Sequence, residues 1–305
     1  MAERQTVLLT GQSGFLGTRV RARLQADAAI ALSVLPCRLG ELDRGDRFSV
    51  DTAIHLAAAV RKSARSTDLE AIVDANVVGL RRLLEALDPP PRRLLFASTT
   101  DVYGEVGEDV EEGAGLQPQT EYAASKLLGE RMALGDARRR GYECVVLRFG
   151  HVYGPGEQAY EKFVPSTIRT MMKGRPPTVI GDGQTRRDLL YLDDAAEAVH
   201  RLARSPGKLP SVLHVASSNT YSLQEIAETL IDVFGYLGRV RNLRDHANPP
   251  SLSFDTRLLR EHVGELSELS LREGLRREVE HAVALERGGG IERGGGIELQ
   301  AVDPV

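Results

Sequence analysis

Short apolar runs alternate along the first half of the chain with longer stretches in which apolar residues recur at helical spacing. Thr6-Val7-Leu8-Leu9 predicts a strand and Leu16 to Ala26 a helix; Ile30 to Leu35 and Ala53-Ile54-His55-Leu56 predict two further strands. Between Leu69 and Leu87 the apolar positions Ile72, Val73, Val77, Leu80, Leu83 and Leu84 fall on one helical face. Pro89-Pro90-Pro91 ends that helix, because proline lacks the N–H and clashes with the preceding turn. Arg93 to Ala97 predicts a strand, Glu121 to Arg140 a long helix, and Cys144 to Leu147 the strand after it. Fully apolar short strands separated by helices indicate a parallel sheet covered on both faces. After Gly150 the rhythm loosens around Gly154-Pro155-Gly156, Gly174 to Pro177 and Gly181-Asp182-Gly183, with helices expected at Ala195 to Arg204 and Leu223 to Phe234. The end repeats Glu-Arg-Gly-Gly-Gly-Ile from Glu286 and again from Glu292. Such glycine content cannot repay the entropy of ordering, so a flexible tail over 286–305 is expected.

Composition adds bounds rather than identity. The 305 residues suffice for a proper core; 42% are apolar, 27% are charged, and the formal net charge is −4 with both signs mixed along the chain. Nothing there predicts nucleic-acid or membrane binding, and no apolar run approaches the ~20 residues of a bilayer span. Met1 to Thr10 lack the zones of a signal peptide, so a cytoplasmic location is expected. Cys37 and Cys144 read as buried reduced thiols, with no metal site.

The first strand runs into Thr10-Gly11-Gln12-Ser13-Gly14-Phe15-Leu16-Gly17 and then a helix. One glycine allows the tight turn, the second lets backbone approach a pyrophosphate, and the third lets helix and strand pack closely. The helix N-terminus adds unpaired N–H groups and partial positive charge. A dinucleotide site is therefore expected. The acid that would bind a ribose 2′-hydroxyl at the end of the second strand is missing; Pro36-Cys37-Arg38 stands there, and an arginine can pair with a 2′-phosphate. This tips the expectation slightly toward NADP over NAD.

Tyr122 and Lys126 are one helical turn apart and face the same way. A neighbouring ammonium favours the phenolate, so Tyr122 is a candidate proton donor and acceptor. Upstream, Ser98-Thr99-Thr100-Asp101-Val102-Tyr103-Gly104 ends a strand, and hydroxyls at the carboxyl edge of a parallel sheet face the ligand crevice.

Taken together, the TGxxGFLG loop, His55-Leu56-Ala57-Ala58, Asn76-Val77-Val78-Gly79, STTDVYG and YAASK resemble the NAD-dependent epimerase/dehydratase family of extended short-chain dehydrogenases/reductases. The likeness continues through Leu147 to Gly156, Gly181 to Asp188 and Tyr191 to Asp194, and spans about Val7 to Ala282. The resemblance implies an enzyme acting on a nucleotide-sugar, with Tyr122 as acid/base, Lys126 on the nicotinamide ribose and Thr99 as the catalytic hydroxyl. It implies cofactor contacts from Gly11, Ser13, Gly14, Phe15, Leu16, Gly17, Arg38, Leu56, Ala57, Ala58, Asn76, Tyr122 and Lys126. Thr99, Thr100, Asp101, His151 and Arg187 become substrate contacts, Arg187 on the diphosphate. Three departures stand out. The segment between Leu35 and Asp51 is short, which trims the adenine end. His151 replaces the usual asparagine, where it could bind phosphate or sugar or fill space. Asp101 stands where related dehydratases carry a glutamate base.

The expected architecture is α/β: a Rossmann doubly wound parallel sheet (1–150 and 189–216) with a smaller, discontinuous substrate domain (151–188 and 217–285) and the substrate in the crevice between them. The helices around 69–87 and 121–140 resemble the family's homodimer interface, although their apolar faces would equally suit the core. The first reading of the reaction is a nucleotide-sugar epimerase working through a 4-keto intermediate. An NADPH-dependent 4-ketoreductase of deoxysugar biosynthesis, a 4,6-dehydratase with Asp101 as base, and a non-catalytic dinucleotide sensor follow in that order.

Overall fold

The computed structural model describes residues 4–35, 37–60, 68–266 and 269–288. In chain order the elements are β1 (Gln5–Thr10), α1 (Phe15–Ala26), β2 (Ile30–Val34), β3 (Thr52–His55), α2 (Leu69–Val73), α3 (Gly79–Ala86), β4 (Arg93–Thr99), α4 (Glu121–Arg140), β5 (Glu143–Phe149) and β6 (Val152–Tyr153). There follow α5 (Phe163–Met172), β7 (Thr178–Ile180), β8 (Arg186–Asp188), β9 (Leu190–Tyr191), α6 (Leu192–Arg204), β10 (Val212–Val215) and β11 (Thr220–Ser222). The last are α7 (Leu223–Phe234), β12 (Arg241–Leu243), α8 (Arg257–Val263) and α9 (Leu271–Gly288).

The chain forms two compact units. The first comprises the described residues within 4–153, 186–221 and 250–266; the second comprises those within 154–185, 222–249 and 269–288. The segment 250–266, expected with the substrate domain, groups with the sheet, and so does Arg186–Asp188.

In the first unit six parallel strands lie in the order β10-β5-β4-β3-β1-β2. The chain leaves β1 for the edge strand β2 and then returns to β3 on the other side of β1. That reversal opens a crevice at the carboxyl ends of β1 and β3, where open α/β sheets bind ligands. Side-chain alternation splits each strand between two cores. Val7, Leu9, Ile54, Leu95, Val145 and Leu147 pack with α1, α6 and α8 residues such as Leu24, Val199 and Leu259. Leu8, Leu94, Phe96 and Val146 pack with Leu80, Leu83, Ala133 and Ala137 of α3 and α4. Both faces are thus covered, which is why the strands read as continuous apolar runs.

Several boundaries differ from the sequence expectation. The helix expected from Leu69 to Leu87 is interrupted by a wide π-helical turn over Asp74–Val78, which carries Asn76 inward. β4 and β5 reach Thr99 and Phe149, because Ser98 and Thr99 pair in register with Arg148 and Phe149. Between Leu35 and Asp51 the described residues form a short 3-10 turn at Leu39–Glu41 and a single β-bridge from Phe48 to Leu87. Cys144 is buried but Cys37 is only half-buried, which corrects the expectation for Cys37; both are free. Pro36 lies outside the described residues.

In the second unit β7 and β12 pair in parallel. Helix α7 starts on a reciprocal cap in which Ser222 Oγ accepts from Glu225 N–H and Glu225 accepts from Ser222 N–H. Helix α9 runs through Gly288, so the expected tail loses its first three residues to a helix. The rest of it, 289–305, lies outside the described residues. Among the described residues no helix is long and apolar enough to cross a membrane.

Candidate active site

The glycine loop is built by close backbone approach. Gly11 has φ +74°, and a Cβ there would lie 2.5–2.8 Å from the backbone of Leu56 and Ala57. A Cβ on Gly17 would collide with the carbonyl of Gly11. The loop after β1 is therefore clamped between the exit of β3 and the first turn of α1. Gly14 is the N-cap of α1 and offers no side-chain cap, so the helix N–H groups remain available to an anion. A cavity of about 1080 Å³ opens beside them. Its wall includes Gly11, Ser13, Gly14, Arg38, Leu56, Ala57 and Ala58 of the expected cofactor contacts, with Gln12, Glu41, Ala59 and Asp74 in addition. Phe15 and Leu16 open α1 and pack, partly buried, against the core. The size of this space and its bare backbone floor fit a dinucleotide.

Asn76 ties that cavity to the helix bearing the tyrosine and lysine. Its Oδ1 accepts from Ala59 N–H at 2.7 Å, and its Nδ2 donates to Ala59 O at 3.0 Å and to Ser125 Oγ at 2.9 Å. Ser125 lies between Tyr122 and Lys126 on α4 and donates to the Tyr122 carbonyl at 2.7 Å. Thr120 Oγ1 accepts from Ala123 N–H and sets the start of α4 immediately before Tyr122.

Lys126 is 3% exposed, and its ammonium lies 4.5 Å from the centroid of the Phe96 ring. Phe96 stacks on His55 at 5.6 Å, and His55 Nδ1 is 2.8 Å from Thr10 Oγ1. These contacts form a row from the ends of β1 and β3 through the middle of β4 to α4. Loss of hydration pulls the Lys126 ammonium down to about 8, opposed by the Glu130 carboxylate one turn further on. Loss of hydration and the nearby Lys126 push His55 down to about 3, so His55 is neutral at pH 7.

Thr99 ends β4, and its Oγ1 accepts from Asp101 N–H at 3.2 Å. Thr100 is buried and Asp101 exposed. His151 lies two residues beyond Phe149, the ladder partner of Thr99. Its Nδ1 is 3.5 Å from Asp188 Oδ1, and the imidazole is 37% exposed. Arg187 donates Nη1–H to the carbonyls of Arg186 and Pro250 at 2.8 and 2.7 Å. Among the described residues no cluster of three or more His, Cys, Asp or Glu side chains is placed to hold a metal ion.

Sequence reasoning missed Ser125, His55, Glu130 and Asp188 as individual actors. Glu130 continues the four-residue spacing of Tyr122 and Lys126, a signal that was available. Asp188 gave no such signal, because its surroundings come from a distant segment.

Comparison with known proteins places the chain in a family. A sequence profile of the NAD dependent epimerase/dehydratase family matches residues 7–216. The uncharacterized UDP-glucose epimerase YtcB of Bacillus subtilis is 28% identical over 242 residues, covering 78% of this chain and 76% of that protein. TunA, an NAD-dependent NDP-hexosamine 5,6-dehydratase of tunicamycin biosynthesis, superposes with a TM-score of 0.79 at 26% identity, covering 92% and 98%. RMD from Pseudomonas aeruginosa, solved with NADPH, gives 0.75 at 26% identity, covering 91% and 98%.

Proposed function

Because the chain belongs to the NAD-dependent epimerase/dehydratase family and is an enzyme, we propose that it is a nucleotide-sugar epimerase acting at C4 of the hexose through a 4-keto intermediate. The observation that carries this reading is the Asn76 bridge, which fastens the wall of the dinucleotide cavity to the turn of α4 between Tyr122 and Lys126. When bound, a nicotinamide would supply the two-electron acceptor and donor for the sugar carbon. Tyr122 takes the proton of the 4-hydroxyl and later returns it. Lys126, one turn along α4 from Tyr122, is read as the cation that favours the ionised phenol. Thr99, at the end of the neighbouring strand, offers a hydroxyl to the same oxygen. The first turn of α1 and the loop at Gly11 and Gly14 hold the pyrophosphate, and Arg187 takes the substrate diphosphate.

The exposure of Asp101 favours this reading over the dehydratase, since a base for a carbon-bound proton gains from desolvation. A 4-ketoreductase is the second reading, supported by Arg38 on the cavity wall. Glu41 lines the same wall, so the space offers a fork for a 2′-phosphate and a carboxylate for a 2′-hydroxyl; Arg38 tips the choice slightly toward NADP. Exposed Leu69, Val73 and Leu128 on α2 and α4 support a homodimer through these helices, which light scattering would test. Two free cysteines fit a reducing, cytoplasmic setting.

The deciding experiment follows UDP- and dTDP-hexoses by NMR. Inversion at C4 without net cofactor loss supports the epimerase, and stoichiometric NADPH consumption supports the reductase. Tyr122→Phe should lower turnover by roughly 10²–10⁴-fold with the fold intact; undiminished turnover would remove Tyr122 from the chemistry.

A further inference from the structure

Asp188 is fully buried, and among the described residues neither carboxylate oxygen has a hydrogen-bond partner. The buried Nδ1 of His151 is likewise unbonded. The two face each other at 3.5 Å, about half an ångström beyond hydrogen-bond length. The main chain makes room for the carboxylate: any Cβ at position 150 would collide with Asp188 Oδ2. Around the pair, the carbonyl of His151 accepts from Leu190 N–H at 3.0 Å, which fixes the backbone of both strands. Leaving a buried carboxylate unbonded is costly, so a site that makes space for one has a use for it.

We infer that Asp188 takes the Nδ1–H of His151 and thereby turns Nε2 outward as a hydrogen-bond acceptor for a hydroxyl of the hexose ring. This rests on the nucleotide-sugar reading above and deepens it. The half-exposed ring has one nitrogen buried against Asp188, so the other is the one that can meet a ligand. A neutral imidazole with Nδ1 protonated can only accept at Nε2. Hydroxyls can donate to it; phosphate and carboxylate cannot. The dyad therefore selects the sugar, while the neighbouring cation Arg187 suits the anion. Histidine and aspartate act here as a positioning pair in which a carboxylate sets the tautomer, and the long apo distance closes when the sugar arrives.

The test uses the NAD-loaded protein and calorimetric titration with UDP, dTDP and their glucose conjugates. His151→Ala should weaken the sugar conjugates roughly tenfold or more and the free diphosphates less than twofold. Nitrogen-15 NMR of the wild-type imidazole, with and without UDP-glucose, should show the proton on Nδ1, and Asp188→Asn should move it to Nε2. Equal losses for conjugate and free diphosphate, a wild-type proton on Nε2, or protons on both ring nitrogens overturn the dyad. If neither the free diphosphates nor the conjugates bind the wild type, the nucleotide-sugar reading fails and takes the inference with it.

Discussion

Two buried carboxylates near the carboxyl ends of β4 and β5 are treated in opposite ways. Glu130 is saturated: Ser98 Oγ donates to it at 2.5 Å, and Arg148 donates from Nε at 3.0 Å and Nη2 at 2.7 Å. The network continues inward. Arg148 Nη1 donates to the Tyr103 oxygen at 2.7 Å, Tyr103 lies 2.5 Å from His214 Nε2, and His214 Nδ1 donates to Asp255 O at 2.9 Å. Among the described residues Asp188 accepts no hydrogen bond; His151 Nδ1 stands 3.5 Å away, and the charge of Arg187 acts on it from a distance. A closed network holds elements together and has no remaining capacity for a ligand. An open one is stable only because the surrounding packing enforces it, which marks it as a place for binding.

The comparison can be broken most severely at Arg148. Arg148→Met leaves Glu130 buried without its cation and should cost roughly 3–5 kcal/mol of stability, read from the urea midpoint; a loss below ~1 kcal/mol would mean the network is ornamental. Acid comes next. Burial lowers the proton affinity of His214, and burial together with Lys126 lowers that of His55 to about 3. The unfolded chain then binds protons first as pH falls below ~6.5, so stability should be full above that value and decline toward about 3. Melting temperatures flat across that window would contradict the neutral buried histidines. The smallest effect is expected at Asp188. Asp188→Asn removes a buried charge that lacks a hydrogen-bond partner and should raise stability, by roughly 1–3 kcal/mol. A collapse as large as that of Arg148→Met would show that Asp188 belongs with Glu130 rather than apart from it.

Much of the first unit was legible. The apolar strands and the helix over Glu121–Arg140 were readable because period and caps lie within a few residues of each other. The glycine loop was readable because a steric need selects glycine locally. Less was legible where a side chain answers a distant segment. The wide turn at Asp74–Val78 follows the helical apolar pattern, and the positions of Ala59 and Ser125 give Asn76 its purpose. The interest of His151 was visible as a departure from a motif; its relation to Asp188 was not, since 37 positions separate them.

By itself the sequence determined the parallel sheet, the dinucleotide loop and the tyrosine–lysine turn, because each is encoded by residues that meet within one strand, loop or helical turn. Tertiary structure alone decided which buried charges are closed and which are open. That depends on how strands and loops from separate parts of the chain bring donors within about three ångströms of an acceptor, a distance that no local pattern records.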